Sequence, residues 1–196
     1  MIVITDYGAG NLKSIANILD MLNAEYKISS EQEDILSASA IIFPGQGHFG
    51  QAVNKLNEIG LKNTIIEAVN IKKIKFLGIC LGLQILFEKS EEAPEVKGLS
   101  ILKGEVKKFT CNKIPQIGWN NITVTGNNTY LSNDYYYFVN SFYVIPDDNT
   151  IISSKCNYSG IDFCSSIQKN NITAVQFHPE KSSEAGIKFF QKWLES

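Results

Sequence analysis

Residues 74–84 read IKFLGICLGLQ, and the way this stretch divides decides the architecture. Ile74 to Ile79 is a nearly continuous apolar run of strand length, the pattern of a strand covered on both faces. A helix is expected to follow from Leu81 to about Lys89. Between them Cys80 stands flanked by Gly78 and Gly82. A thiol so placed has the form of a nucleophile elbow, in which the glycines let the chain turn sharply and hold the sulfur clear of the sheet. The helix would aim backbone N–H groups at the sulfur and favour its thiolate, and the Leu81 N–H would stabilise an oxyanion. With 14 Gly and 4 Cys, composition yields roughly 0.02 matches to Gly-x-Cys-x-Gly, so chance is a poor account. The competing reading is a buried structural cysteine in a tight turn.

Outward from the elbow the same cycle recurs. IVIT (2–5) is a short apolar run, followed by a glycine turn and then by Leu12, Ile15, Ala16, Leu19 and Leu22 at helical spacing. YKIS and AIIF (40–43) read as strands, PGQGHFG as a loop, and residues 51–72 carry helical periodicity. Strands alternating with helices predict a mostly parallel central sheet covered by helices on both faces. After Pro94 the segments GEVKKF, NNITVT, YYYFVNSFYVI, TIISSK and FCSSIQ are rich in β-branched and aromatic residues, so additional antiparallel strands are expected in this half. NITAVQF (171–177) is a last strand, and Ser182 or Ser183 would cap a helix carrying Ile187, Phe190, Trp193 and Leu194 on one face. With 196 residues and no linker or repeat, one α/β domain over 1–196 is expected.

The totals exclude several classes of function. The formal charge is −2 and no basic stripe runs along the chain, so nucleic acid is not an expected partner. MIVIT is followed at once by Asp6 and Gly8, too short for a signal or a membrane span; no membrane association and a cytoplasmic location are expected. Cys80, Cys111, Cys156 and Cys164 form no C-x-x-C pair and have no histidine at ligand spacing, so reduced thiols and no metal are expected. No cofactor is called for. Asn-x-Ser/Thr triplets at Asn121, Asn127, Asn157 and Asn171 reflect asparagine-rich composition.

A thiol nucleophile needs a base, and the chain has two histidines, His48 and His178. His178 directly follows the last strand and so stands at a second carboxyl end, where open parallel sheets gather their ligands. Pro179 biases it towards an extended backbone, in which residues two apart face the same way, so Glu180 can reach the ring. That makes a nucleophile, a base and an orienting carboxylate. The glycines of FPGQGHFG (43–50) allow a peptide to turn its N–H towards a developing oxyanion, from Gln46 or Gly47. The aromatic run from Tyr135 to Phe138 and at Phe142 and Tyr143 reads as core, and PQIGWN (115–120) as an anchor for a partner or loop.

Taken in this order and spacing, GICLGLQ, PGQG and HPEKS resemble the motifs of the class I, or triad, glutamine amidotransferases. Within that family DYGAGNLKS, PQIGWN and HPEKS look like the branch of glutaminase subunits that serve imidazole glycerol phosphate synthases, and the resemblance runs over essentially the whole chain. It implies a Cys80–His178–Glu180 triad, an oxyanion site from Leu81 and the Gln46–Gly47 peptide, and glutamine held at Gly47, Gln84, Ser141 and Phe142. It further implies that Asn11, Ser14, Gln116, Ile117, Trp119 and Lys181 face a cyclase subunit, a (β/α)8 barrel, which takes the ammonia in a heterodimer and makes imidazole glycerol phosphate and aminoimidazole carboxamide ribotide for histidine biosynthesis. Members usually carry an aliphatic residue where Gln46 stands and a histidine where Asn140 stands. The alternatives are a glutaminase that feeds a different synthase, such as one amidating a sugar, a silent binding subunit, and a cysteine hydrolase or peptidase.

Overall fold

In the computed structural model, which describes every residue except Ala9 and Asn127, the elbow strand lies in the middle of a large sheet. The Asn127 triplet and one residue of DYGAGNLKS therefore lie outside the described residues. The amino-terminal half runs β1 (Ile2–Thr5), α1 (Leu12–Met21), β2 (Tyr26–Ser29), α2 (Gln32–Ser37), β3 (Ala40–Phe43), α3 (Phe49–Glu58), α4 (Leu61–Asn70), β4 (Lys75–Ile79) and α5 (Leu81–Gln84). The second half supplies β5 (Lys89–Ser90), β6 (Gly104–Lys108), β7 (Gln116–Asn121), β8 (Thr123–Val124), β9 (Tyr135–Asn140), β10 (Phe142–Pro146), β11 (Ile152–Tyr158), β12 (Ile161–Lys169), β13 (Ile172–Val175) and α6 (Ser183–Glu195).

Strands β2, β1, β3, β4 and β13 are parallel neighbours in that order, and β12, β10 and β6 continue the sheet antiparallel. β5 joins β6 at the far edge, and β11 branches from β12 and carries β8. β7 and β9 form a separate antiparallel ribbon. The apolar strands are covered on both sides because alternate residues feed different cores. Val3 packs with Phe49 and Val53 of α3 and Ile65 of α4, while Ile2 and Ile4 pack with Ile15 and Leu19 of α1 and Phe189, Phe190 and Trp193 of α6. Each large side chain buried in this way contributes about 1.5–3 kcal/mol.

The structure differs from the sequence reading at four points. The helix after Cys80 ends at Gln84 instead of Lys89, because a neighbouring loop takes the carbonyls that would continue it: Leu99 N–H bonds to Ile85 O at 2.7 Å, Leu102 N–H to Leu86 O at 2.9 Å, and Gly98 N–H to Glu88 O at 3.1 Å. The periodic stretch 51–72 is two helices separated at Gly60, which is left-handed (φ 74°). YYYFVNSFYVI is divided at Ser141 between the ribbon and the main sheet. Ser182 precedes α6 but does not cap it: its hydroxyl donates to His178 O at 2.7 Å and accepts Tyr137 N–H at 2.9 Å.

Candidate active site

The parallel register sets Gly78 of β4 beside Phe43 and Ile79 beside Val175, so the loops leaving β3, β4 and β13 emerge together. Cys80 is the first residue past β4, and its N–H donates to Val175 O at 2.7 Å. Its backbone sits at φ 53°, ψ −102°, a conformation that costs a non-glycine residue about 1–3 kcal/mol and persists only where the surroundings impose it. They do so here by contact, for a Cβ on Gly82 would overlap the Phe43 carbonyl oxygen, so only glycine lets the β3 end and the elbow interlock.

His178 approaches from β13. It is extended (φ −102°, ψ 91°), and its N–H donates to Tyr137 O of the ribbon at 2.8 Å. Pro179 opens a single 3-10 turn, Pro179–Lys181, and this turn, not the extended alternation expected from sequence, carries Glu180 back under the ring. Glu180 Oε1 lies 2.7 Å from His178 Nδ1, both side chains being almost fully buried. Burial alone would lower the His178 pKa; the charge and hydrogen bond of Cys80, followed by those of Glu180, outweigh it and raise the value to about 10. The ring thus lies between two acidic groups that favour its charged form.

These side chains open on a cavity of about 460 Å³ lined by Gln46, Gly47, Cys80, Leu81, Gln84, Ser141, Phe142, His178 and Lys181 among others. The other two cysteines buried with Cys80 differ from it in setting. Burial pushes Cys156 and Cys164 up to about 12, so both remain inert thiols. Among the described residues, no group of three or more His, Cys, Asp or Glu is placed to hold a metal ion, and no helix is long and apolar enough to cross a membrane.

The family model for class I glutamine amidotransferases matches residues 3–195. The chain belongs to that family. The amidotransferase is 41% identical over 202 residues to imidazole glycerol phosphate synthase subunit HisH 1 of Methanococcus maripaludis, covering 100% of this chain and 99% of the relative. It is 43% identical to imidazole glycerol phosphate synthase hisHF, chloroplastic, of Arabidopsis thaliana, over 99% of this chain and 34% of that longer one. A crystal structure of a glutamine amidotransferase superposes with a TM-score of 0.80 at 18% identity, covering 100% of this chain and 98% of the other, which establishes the shared α/β fold.

The glycine loop that follows β3 is anchored by a residue the sequence reading did not mark. Tyr7, just past β1, is buried, stacks on Phe43 at 4.9 Å, and donates from its phenol to Pro44 O at 3.2 Å. Burial and the nearby Cys80 sulfur push the phenol well above its ordinary pKa, against a Gln46 backbone N–H that bonds its oxygen. Gly47 follows at φ 113° with open space where a Cβ would stand. The signal was the register, since Ile4 pairs with Ile42 and the residues after β1 must run beside those after β3.

Alternation along the ribbon sorts the expected interface residues. Ile117 and Trp119 project outward and are 62% and 51% exposed, opposite Val139 and Tyr137. Gln116 does not share that face: it is 2% exposed, pairs across the ribbon with Asn140, and leaves both side-chain amide atoms without a hydrogen-bond partner. Its side chain is turned inward. Asn11 caps α1 and its amide donates to Ser14 Oγ at 2.5 Å, so both stand at the helix start. Lys181 lines the cavity itself. Asn140 donates to Phe142 O at 3.0 Å.

Proposed function

We propose that this amidotransferase is the glutamine-hydrolysing subunit of an imidazole glycerol phosphate synthase, releasing ammonia for a cyclase partner. The observation that carries the reading is Cys80 and His178 opening on one cavity, with the buried His178 ring held from behind by Glu180 at 2.7 Å. Glutamine enters that cavity against Gln84, Ser141 and Phe142, and the Cys80 sulfur attacks its side-chain amide carbon. The Leu81 N–H and the Gln46–Gly47 peptide receive the oxyanion. On collapse the C–N bond breaks and His178 gives its proton to the departing nitrogen, which leaves as ammonia. Water, deprotonated by His178, then attacks the thioester and releases glutamate and the thiol. Glu180 forms and breaks no bond; it orients the ring and stabilises its charged form.

The partner reading is supported by the exposed apolar face of Ile117, Trp119 and Tyr135, which borders Val139 and Lys181 of the cavity wall. It is also supported by the relatives' names, one of them belonging to a chain about three times as long. The product is imidazole glycerol phosphate with aminoimidazole carboxamide ribotide, made in the cytoplasm. Cys80→Ala is expected to abolish glutamine-dependent synthesis by the reconstituted complex while synthesis from an ammonium salt persists. Glutamine-dependent product from that variant would overturn the triad, and failure of either nitrogen source to support synthesis in the unmodified complex would overturn the partner.

A further inference from the structure

Gln176 follows β13 directly, and since Val175 pairs with Ile79, the next residues along the two strands, Gln176 and Cys80, are neighbours beyond the sheet. Gln176 is completely buried, and its backbone N–H is held by Ser165 O at 2.8 Å. Its side-chain Nε2 lies 3.5 Å from Cys80 Sγ. The two ends of a glutamine amide look alike, so the direction of this bond has to be argued from its partners. Phe142 O is a backbone carbonyl and can only accept; it lies 3.3 Å from Gln84 Nε2, which fixes the nitrogen end of Gln84. That same nitrogen lies 3.1 Å from Gln176, so the atom of Gln176 it meets must be the oxygen. The nitrogen of Gln176 is then the atom turned to the sulfur. One carbonyl orients two amides and points a donor at the nucleophile.

We propose that Gln176 is a catalytic residue of the glutaminase reaction, donating a hydrogen bond to the Cys80 sulfur that stabilises its negative form, with Gln84 holding the amide in the donating direction. The inference rests on the reading of Cys80 as the nucleophile. It answers a deficit created by the short helix: α5 has four residues, too few aligned peptides to act as the charge-stabilising dipole that a long helix at the elbow would provide. The charge on the sulfur is instead met by side chains, His178 on one side and Gln176 on the other. Because Gln84 also lines the cavity, one amide stands between the cavity wall and the thiol network. Gln176 transfers no proton; its N–H remains bonded to nitrogen throughout the attack and release steps.

The test is alkylation of the full chain by iodoacetamide, in which the thiolate forms a thioether and iodide leaves, with each cysteine followed by peptide mass spectrometry across about pH 5.5 to 9. Cys111, half-exposed and remote from this network, is the reference in the same sample. Gln176→Met keeps the length of the side chain and removes the donor; it is expected to slow Cys80 alkylation near neutral pH by about tenfold relative to Cys111 and to move the pH curve upward. Gln84→Met, on the cavity wall, frees the Gln176 amide to rotate and is expected to slow it by about threefold. The other groups facing the sulfur, His178 with Glu180 behind it, Tyr7, and Lys181 and Glu92 of the cavity, are unchanged in both variants, so a shift belongs to the amide. Unaltered rate and pH curve in a Gln176→Met chain with the parent's circular dichroism overturn the proposal. Should that variant not fold, Gln84→Met decides by the same measurement, an unchanged rate overturning the proposal and a slowed one supporting it. Glutamine turnover is not part of this readout, so failure of the triad reading, seen as glutaminase activity in Cys80→Ala, is separately visible.

Discussion

The carboxyl edge of β3, β4 and β13 and the ribbon of β7 and β9 line the same cavity, yet they are built on different principles. The edge is held by main-chain contact: strands buried on both faces, a glycine that admits the Phe43 carbonyl, and a Cys80 backbone forced to φ 53°. The ribbon is two strands only, with one face in the core through Tyr136 and Phe138 and the other carrying Ile117, Trp119 and Tyr135 to solvent. It reaches the site through a few bonds, chiefly His178 N–H to Tyr137 O and Tyr137 N–H to Ser182 Oγ. The candidate triad stands where the backbone cannot yield, and the ribbon leaves apolar surface uncovered.

The division is tested most severely at the edge itself. His178→Ala removes both the base and the proton for the leaving group and is expected to lower glutamine hydrolysis by about 10³ or more, whereas Glu180→Gln, which keeps the ring but not its charge partner, should cost about tenfold less than that. Steady-state ammonia release measures both, and equal losses would mean that Glu180 does more than orient. Gly82→Ala puts a methyl group against the Phe43 carbonyl and is expected to destabilise the fold by about 2–4 kcal/mol, read from urea unfolding. A neutral result there would show that the elbow is not locked by the β3 end.

On the ribbon the expected effects are smaller and of another kind. Trp119→Ala removes an exposed ring that meets Tyr137 in a T-shaped pair, centroids 6.0 Å apart. It should leave glutamine hydrolysis and stability of the free chain within about 0.5 kcal/mol while weakening association with the cyclase partner by about 2 kcal/mol, measured by titration calorimetry. If the free chain lost activity instead, the ribbon would belong to the site and not to the interface. The pH dependence is a separate test of the edge. His178 has a folded-state pKa raised from 6.5 to about 10, so the stability its proton contributes is complete below about pH 6.5 and is given up as pH rises towards 10. Urea unfolding at rising pH should show the parent losing its advantage over His178→Ala across that window.

Much of the edge was legible because its constraints are local and strict. A strand-length apolar run, Gly78 and Gly82 around a cysteine, and His178 two residues before Glu180 leave little choice about where the chain turns and what stands at the turn. The ribbon was less legible, since Ser141 divides YYYFVNSFYVI between two sheets by pairing alone and nothing in its composition marks the break. The burial of Gln116 was not legible for a related reason: the phase of alternation that buries it beside Asn140 depends on which face of β7 meets the core. Tyr7 and Gln176 were passed over because each acts on a residue far along the chain and carries no motif of its own.

The amino-acid sequence by itself determined the α/β architecture, the elbow at Cys80, and the pairing of a histidine with the carboxylate two residues later, because hydrophobic period, glycine and close spacing act within a few residues. Only the tertiary structure decided that the elbow helix stops at Gln84, that a 3-10 turn brings Glu180 to His178, that Tyr7 bonds to Pro44 O, and that Gln176 lies against the sulfur. Those outcomes depend on which carbonyls and amides a distant loop or strand brings within hydrogen-bonding distance, and buried polar groups take whatever partner the register delivers to them.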